Sequence, residues 1–540
     1  MRLLALAVCA SLVEIGWLAL WSLSGALSHS PLFTRAFLEA HPAAKQLFAL
    51  TVWCASRLVP GVADVPLLDP PGSSVYALPA AALGVVMLWL ALAYAAALVF
   101  LARGGGRSPT AAWLVVGGAL VFQLTLAFLP GLFSQDVFSY IAYGRLAAVY
   151  DLNPYIWPPS VIPRDAVVAW VAEVWRGYAS PYGPLWVDVQ WAMARLTSDY
   201  SIADQALAFR ILANALLLAN LVLLGGLLGR LTPLTHRDRT VALAALAWNP
   251  LVLLEVSANA HNDVLMVTFT LLGLLLWTRS RVALLAGASL MLGALVKYLS
   301  GLGLVWLALV LVARCESWGR RLLGLAGMLV LSAVLLVGVA APWLELPDSI
   351  GPLLNETAGV GYVNSLPDSL ALAVAKGTSA SIELARTVER LVVLMAFAVY
   401  LVWEARRVWT QASPAAVARA LARSSLIYVL AVSTSVQPWY FCLPVAVAAA
   451  LGWRWRATQV TLAYSVLALP ALYLNYYLRD STPAWVNVVY GVAPLLLVVP
   501  DLAAWARARA HVPAAEGVGD DEQRAGRNRL PRAIVEEARR

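Results

Sequence analysis

The chain has 540 residues, 61% of them hydrophobic and only 13% charged, with a mean hydropathy of +0.75. Soluble domains carry about twice that share of charge, so the composition excludes a soluble globule and indicates a polytopic membrane protein. The net charge of +8 is dispersed in short Lys/Arg clusters between apolar segments and in the tail, as in cytoplasmic loops, so nucleic acid is not expected as a partner.

The apolar segments lack strand alternation, which makes the predicted fold class all-α: a transmembrane helix bundle of about 14 spans with short interfacial helices on the external face. Leu3–Leu27 has an apolar core longer than that of a signal peptide and reads as a retained first helix crossing outward from Arg2. Residues 28–74, rich in proline and small side chains, form an external stretch. Ala77–Ala102 returns to a Gly-Gly-Gly-Arg turn with Arg103 and Arg107, and Ala111–Phe133 crosses outward again.

The next stretch, SQDVFSYIAYGRLAAVYDLNP, places Asp136 about one turn beyond the membrane edge, followed by Tyr140, Tyr143 and Arg145. Ionisable groups at that depth are costly and point to a site, although a helix-end carboxylate paired with Arg145 is the plainer explanation. From Asn153 to Pro181 the chain is too polar to span, yet Trp157, Trp170, Trp175, Tyr178 and the following Tyr182 suit one or two short helices lying on the interface. Pro184–Leu196 is short and Ala203–Leu231 is a full span. If both cross, Arg230, Arg237 and Arg239 fall outside, so either the shorter segment is re-entrant or the charge rule fails at this loop.

Beyond it the parity is regular. Ala242–Glu255, Asp263–Trp277, Val282–Val296, Gly301–Val312 and Leu322–Ala341 alternate across the bilayer, leading to an external loop, 342–383. Leu391–Trp403 returns to a basic loop with Arg406, Arg407, Arg419 and Arg423, Leu426–Val436 and Phe441–Gly452 form a hairpin, and Gln459–Leu474 and Val486–Val499 complete the bundle. Residues 1–506 are thus one transmembrane module with external loops at 134–183 and 342–383, and 507–540 a disordered, charged cytoplasmic tail. The four cysteines show no paired spacing, which indicates neither a disulfide framework nor a zinc site.

In this topology the polar exceptions fall on one face: Asp136; the NAHND run with His261, Asn262 and Asp263; Lys297 with Tyr298; the QPWYF run with Gln437, Trp439 and Tyr440; and Tyr473–Asp480. Several such groups together imply a shared wet cavity. Each also has a plainer reading. His261 and Asp263 are two metal ligands without a third, Lys297 can snorkel to the interface, and QPWYF can anchor in the headgroups.

The blocks SQDVFSYIAYGRLAAVYDLNPY, SPYGPLW, WNPLVLLEVSANAHNDVLM, GALVKYLSGLGLVWL and VQPWYF occur in an order that resembles the polyprenol-phosphate-mannose-dependent mannosyltransferases of the GT-C class, among them the actinobacterial α-1,6-mannosyltransferases of lipomannan synthesis. The resemblance runs from about Phe122 to Leu451. Gln437 stands where that family tends to have His. The resemblance implies an inverting transfer of mannose or a similar hexose from a polyprenyl-phosphate donor to a glycan or glycolipid acceptor, outside the cytoplasmic membrane. It makes the loops 134–183 and 342–383 catalytic and Asp136 the catalytic base. Lys297, Arg145, Tyr298 and Tyr140 become donor-phosphate binders, and Tyr143, Tyr182, His261, Asn262, Asp263, Gln437, Trp439 and Tyr440 line the cavity. A divalent metal is left open as a cofactor with no ligand set indicated, and membrane lipids are the remaining partners. Rival readings are a transferase for another lipid-linked sugar, such as arabinose or an aminosugar, and a lipid or polysaccharide transporter. The chain shows no matched inverted halves of the kind a transporter would have, and no phosphate-cradling GxxxxGK[ST] loop.

Overall fold

The computed structural model describes residues 1–63, 74–279, 283–345, 365–378 and 381–477. The expected span Val486–Val499, the charged tail 507–540 and half of the loop 342–383 lie outside the described residues.

Helices account for most of the described backbone, as expected, and the sequence shows where each begins. α1 (Arg2–Ser24) is followed by α2 (Pro31–Ala40) and α3 (Pro42–Leu58), each with proline at its first position. Proline there loses a donor that the helix would not use, so Pro31 and Pro42 start helices within the proline-rich stretch 28–74. α4 (Ala77–Ala102) and α5 (Pro109–Ala127) follow, and Ser108 caps α5 by accepting from the Thr110 amide at 3.3 Å. α6 (Asp136–Val149) begins at the candidate base itself, and α7 (Pro184–Thr197) packs along α6. Between them 153–181 forms three 3₁₀ turns in place of the expected interfacial helices.

α8 (Ile202–Leu227) and α9 (His236–Ala247) come next, α9 opening on a capping box in which Thr235 and Asp238 satisfy each other's backbone. After Trp248 the Asn249 carboxamide accepts from the amides of Leu251 at 3.0 Å and Val252 at 3.2 Å, restarting the helix at Pro250. The rod then winds as a π-helix from Leu253 to Ala258, so this span begins six residues before and ends three residues beyond the expected Ala242–Glu255. α10 (Asp263–Arg279), α11 (Ala283–Val296), α12 (Gly301–Arg314) and α13 (Trp318–Ala340) complete the middle of the chain. α14 (Leu366–Thr378), α15 (Ile382–Gln411), α16 (Pro414–Ile427), α17 (Cys442–Leu451) and α18 (Arg456–Tyr477) finish it.

α16 occupies what was expected to be a basic loop. Its Arg423 is buried against Glu404 of α15, so the charge is neutralised inside the bundle and the helix continues through a second π turn, Tyr428–Val432.

By length and composition seven helices among the described residues can cross a membrane, and four shorter apolar helices accompany them. The span His236–Ala258 is the axis of the bundle, with 94% of its apolar window buried, whereas Trp318–Trp343 has 6% buried and faces outward. Around the axis, the Trp248 indole donates to the Val115 carbonyl at 2.7 Å and Tyr94 donates to Ala245 at 2.7 Å. These bonds satisfy the polar edge of each aromatic inside an otherwise apolar core.

Candidate active site

The axial rod ends at the NAHND run, and there the backbone turns back on itself. Ala260 adopts φ 58°, a left-handed conformation that costs a non-glycine residue about 1 kcal/mol. In return the His261 amide donates to the Glu255 carbonyl at 3.0 Å, which swings the imidazole over the helix end. Its Nε2 lies 3.3 Å from Glu255 Oε2, and its Nδ1 lies 3.6 Å from Asp136 Oδ2. The ring is fully buried and stacks on Trp439 at 3.7 Å with a 17° tilt.

Glu255 is held from the far side. Tyr473 donates to Oε1 at 2.7 Å and the Asn259 carboxamide donates to Oε2 at 3.1 Å. Asn259 in turn accepts from the Phe133 amide at 3.1 Å, which ties the loop before Asp136 to the same helix end. The result is an ordered row of Asp136, His261, Glu255 and Tyr473, in which only Asp136 reaches solvent, with 20% of its side chain exposed. Burial pushes the Asp136 carboxyl above the usual carboxylate range, against the pull of His261 and Lys297, and burial pushes the His261 imidazole down to about 4.

Lys297 follows the last turn of α11 and meets Asp263 at 2.5 Å, with its ammonium 5.1 Å from the centre of the Tyr440 ring. The YGPL block lies against this helix end. A Cβ at Gly183 would stand 2.1 Å from the Leu295 carbonyl oxygen, so only glycine allows that approach. Tyr298 is exposed, its hydroxyl 3.0 Å from that of Tyr428. Tyr140 is buried edge-on to Tyr182 and Trp186 and accepts from the Asn262 amide at 3.5 Å. The Asn262 carboxamide is fully buried and has no hydrogen-bond partner among the described residues.

The structure therefore gathers Asp136, Tyr140, His261, Asn262, Asp263, Lys297, Trp439 and Tyr440 at one end of the bundle. Gln437 stands two residues before Trp439, its amide 3.4 Å from the Ser435 hydroxyl. Tyr182 and Tyr143 stand one layer out, where Tyr143 donates to the Tyr178 carbonyl at 2.9 Å and holds the 153–181 segment.

Arg145 goes elsewhere. Its Nε and Nη2 both lie 2.8 Å from Asp165 Oδ2, and Nη1 donates to the Ser198 carbonyl at 3.0 Å. Burial raises the Asp165 carboxyl, but donation from Arg145, the Val167 amide and Tyr150 outweighs it and holds the group below the usual range. Arg145 is thus bound to the loop and is not Asp136's partner.

Three groups escape a reading of the sequence: Glu255, Asn259 in its bridging role, and Arg210. Arg210 is fully buried in α8 and meets no carboxylate among the described residues. It donates instead to the carbonyls of Ala258 at 2.6 Å, Ala127 at 3.1 Å, Leu129 at 2.7 Å and Gly131 at 3.2 Å. One guanidinium thus gathers the negative end of α5, the loop leading to Asp136 and the end of the axial rod. A charge inside an apolar span was the available signal.

Together these features define a multi-span, all-helical membrane protein whose polar groups meet where helices end. The chain belongs to the family described as alpha-(1->6)-mannopyranosyltransferase, N-terminal domain, whose model matches residues 45–314, half of its length. It is 31% identical over 344 residues to alpha-(1->6)-mannopyranosyltransferase A of Mycobacterium tuberculosis, covering 60% of this chain and 63% of that protein. It is 26% identical over 278 residues to alpha-(1->6)-mannopyranosyltransferase B of Corynebacterium glutamicum, 47% of this chain and 44% of that one. A probable alpha-(1->6)-mannopyranosyltransferase of Mycolicibacterium smegmatis matches at 30% over 161 residues, 28% and 27% respectively. In each case the match spans less than two thirds of the relative's own length.

Proposed function

We propose that the protein is an inverting glycosyltransferase that moves mannose, or a similar hexose, from a polyprenyl-phosphate donor to a glycan or glycolipid acceptor at the external face of the cytoplasmic membrane. The observation that carries this reading is a single solvent-reaching carboxylate, Asp136, backed by a buried imidazole and sharing its cluster with the Lys297 ammonium. Family membership supports the sugar and the reaction class.

The chemistry needs little else. Asp136 takes the proton of the acceptor hydroxyl while that oxygen attacks the anomeric carbon from the side opposite the phosphate. The carbon–oxygen bond to phosphate breaks, and its electron pair leaves on the polyprenyl phosphate. A phosphate leaves without protonation but needs countercharge, which is why one carboxylate and an ammonium suffice where glycoside hydrolases use two carboxyls. His261, neutral, stands behind the carboxylate with Nδ1 3.6 Å from it and Nε2 3.3 Å from Glu255, and keeps the acceptor side of Asp136 as its open side.

A screen of radiolabelled lipid-linked sugars against the protein in membranes tests the assignment. Transfer from polyprenyl-phosphate mannose supports it, and transfer only from another lipid-linked sugar, or from none, rejects it. Lys297→Ala is expected to raise the donor KM by about 10–100-fold, the worth of one charge-assisted hydrogen bond, with a smaller change in kcat. Steady-state kinetics over a donor series checks this, and an unchanged KM removes Lys297 from donor binding.

The pH dependence has a defined sign. The active form is the Asp136 carboxylate, whose pKa is raised, so activity falls as the medium is acidified through a pKa above the ~4 of an ordinary aspartate. A kcat/KM profile whose acid limb lies at or below pH ~4 contradicts the assignment of Asp136 as base.

A further inference from the structure

The end of the bundle opposite the Asp136 cluster has a constellation that mannosyl transfer does not use. α5 starts at Pro109 and ends just before the Asp136 loop, and the axial rod starts at His236 and ends at NAHND. Both run in the same sense, and the 19 residues of α5 alone put about 28 Å between their starts and the candidate active site. Where the two helices start, Arg107, Thr235 and His236, all exposed, and the half-buried Arg237 line an open cleft of about 270 Å³. That is just below the ~300 Å³ at which pockets for whole organic ligands begin, and it suits one small charged group.

The convergence is built. The glycine turn before α5 lies directly on the first turn of α9: a Cβ at Gly106 would stand 3.3 Å from both the Leu101 carbonyl oxygen and Thr240 Cβ, and 3.4 Å from the Arg237 carbonyl oxygen. His236 Nδ1 lies 3.4 Å from the Gly106 carbonyl, closing the same contact. Arg2 reaches in from α1, its Nη1 3.9 Å from where a Cβ at Gly104 would be.

The charges are not balanced locally. Asp238 is the carboxylate at this helix start, and it already accepts from the Thr235 hydroxyl at 2.6 Å and from Arg454 at 3.1 Å, leaving Arg237 at 3.9 Å. Arg107 makes no hydrogen bond or ion pair among the described residues. The guanidiniums of Arg107 and Arg237 and the positive end of a long helix thus line one cleft whose neighbouring carboxylate is already engaged.

We propose that this cleft binds a phosphate group, carried either by an anionic lipid headgroup or by a soluble phosphate. Guanidinium forks match phosphate oxygens bidentately, and a helix start adds amide donors and a favourable dipole. The position at the ends of apolar helices places the cleft at headgroup depth.

The test uses the full-length protein in nanodiscs, with thermal unfolding and lipid retention in native mass spectrometry as readouts. One arm adds phosphatidylglycerol to phosphatidylcholine discs, and the other titrates inorganic phosphate into purely phosphatidylcholine discs. We expect the wild type to be stabilised in at least one arm, the first identifying a headgroup and the second a soluble phosphate. The double substitution Arg107→Gln, Arg237→Gln should weaken that binding at least about tenfold, as loss of charge-assisted hydrogen bonds requires. Arg320→Gln with Arg321→Gln removes the same charge from another helix start and should leave the response intact. Should the double variant fold poorly, Arg107→Gln alone decides the matter, because that side chain has no partner in the described protein. No response in either arm, or an equal loss in the control, overturns the proposal and reduces the cluster to general surface charge. Sugar transfer is not a readout, so failure here is separate from failure of the glycosyltransferase assignment.

Discussion

Asp136→Asn is expected to reduce mannosyl transfer by about 10²–10⁴-fold, the range that a positioned general base supplies, while protein level and donor binding stay near wild type. The replacement keeps the shape and the helix start, since the Asp136 amide, not its side chain, meets the Ser134 hydroxyl at 3.3 Å. What it removes is the one group in the row with 20% of its surface open, the one able to touch an acceptor. His261 and Glu255 are fully buried and cannot reach a substrate hydroxyl in its place. The measurement is initial-rate transfer from labelled polyprenyl-phosphate mannose with donor binding assayed in parallel. Turnover within a few fold of wild type would take Asp136 out of the mechanism.

Arg210→Met is expected to cost about 3 kcal/mol or more of stability, because it leaves the carbonyls of Ala127, Leu129, Gly131 and Ala258 without a donor where water is scarce. It should also disable the site at a distance, since those carbonyls fix the loop that presents Asp136 and the rod end that presents His261. Arg210→Lys is expected to restore part of the loss: its ammonium has three donors in place of a five-donor fork. Thermal unfolding of the purified variants in one detergent tests the ordering wild type, Lys, Met. A Met variant as stable as wild type would mean that the fold does not need the clamp.

The site is half legible in the residues themselves. Asp136, the NAHND run, Lys297 and the QPWYF run are polar where the surrounding chain is apolar, and a bilayer gives such groups few places to go, so their meeting at one bundle end follows from cost. Glu255 is different. It marks the expected end of a span, and nothing in an apolar period reveals that the helix continues as a π turn and aims this carboxyl at an imidazole six residues on. The partner of Arg145 is equally hidden, because Asp165 lies 20 residues away across a proline-rich segment whose path depends on Tyr143, Tyr155 and the tight contact at Gly183. Among the helices, Pro31 and Pro42 look like breakers and act as starts. The arginines of 414–425 look like a cytoplasmic loop until Arg423 is seen paired with Glu404.

The two π turns, Leu253–Ala258 and Tyr428–Val432, each immediately precede a segment that carries site residues, 259–263 and 433–441. An α-helix advances about 100° of rotation per residue, so a single extra residue accommodated in a widened turn re-aims everything downstream without altering the helix's length in the bilayer. Each turn therefore works as an indexing joint. A one-residue deletion within 253–258 would close the widened turn and change which of its own side chains, Glu255 among them, faces the NAHND groups.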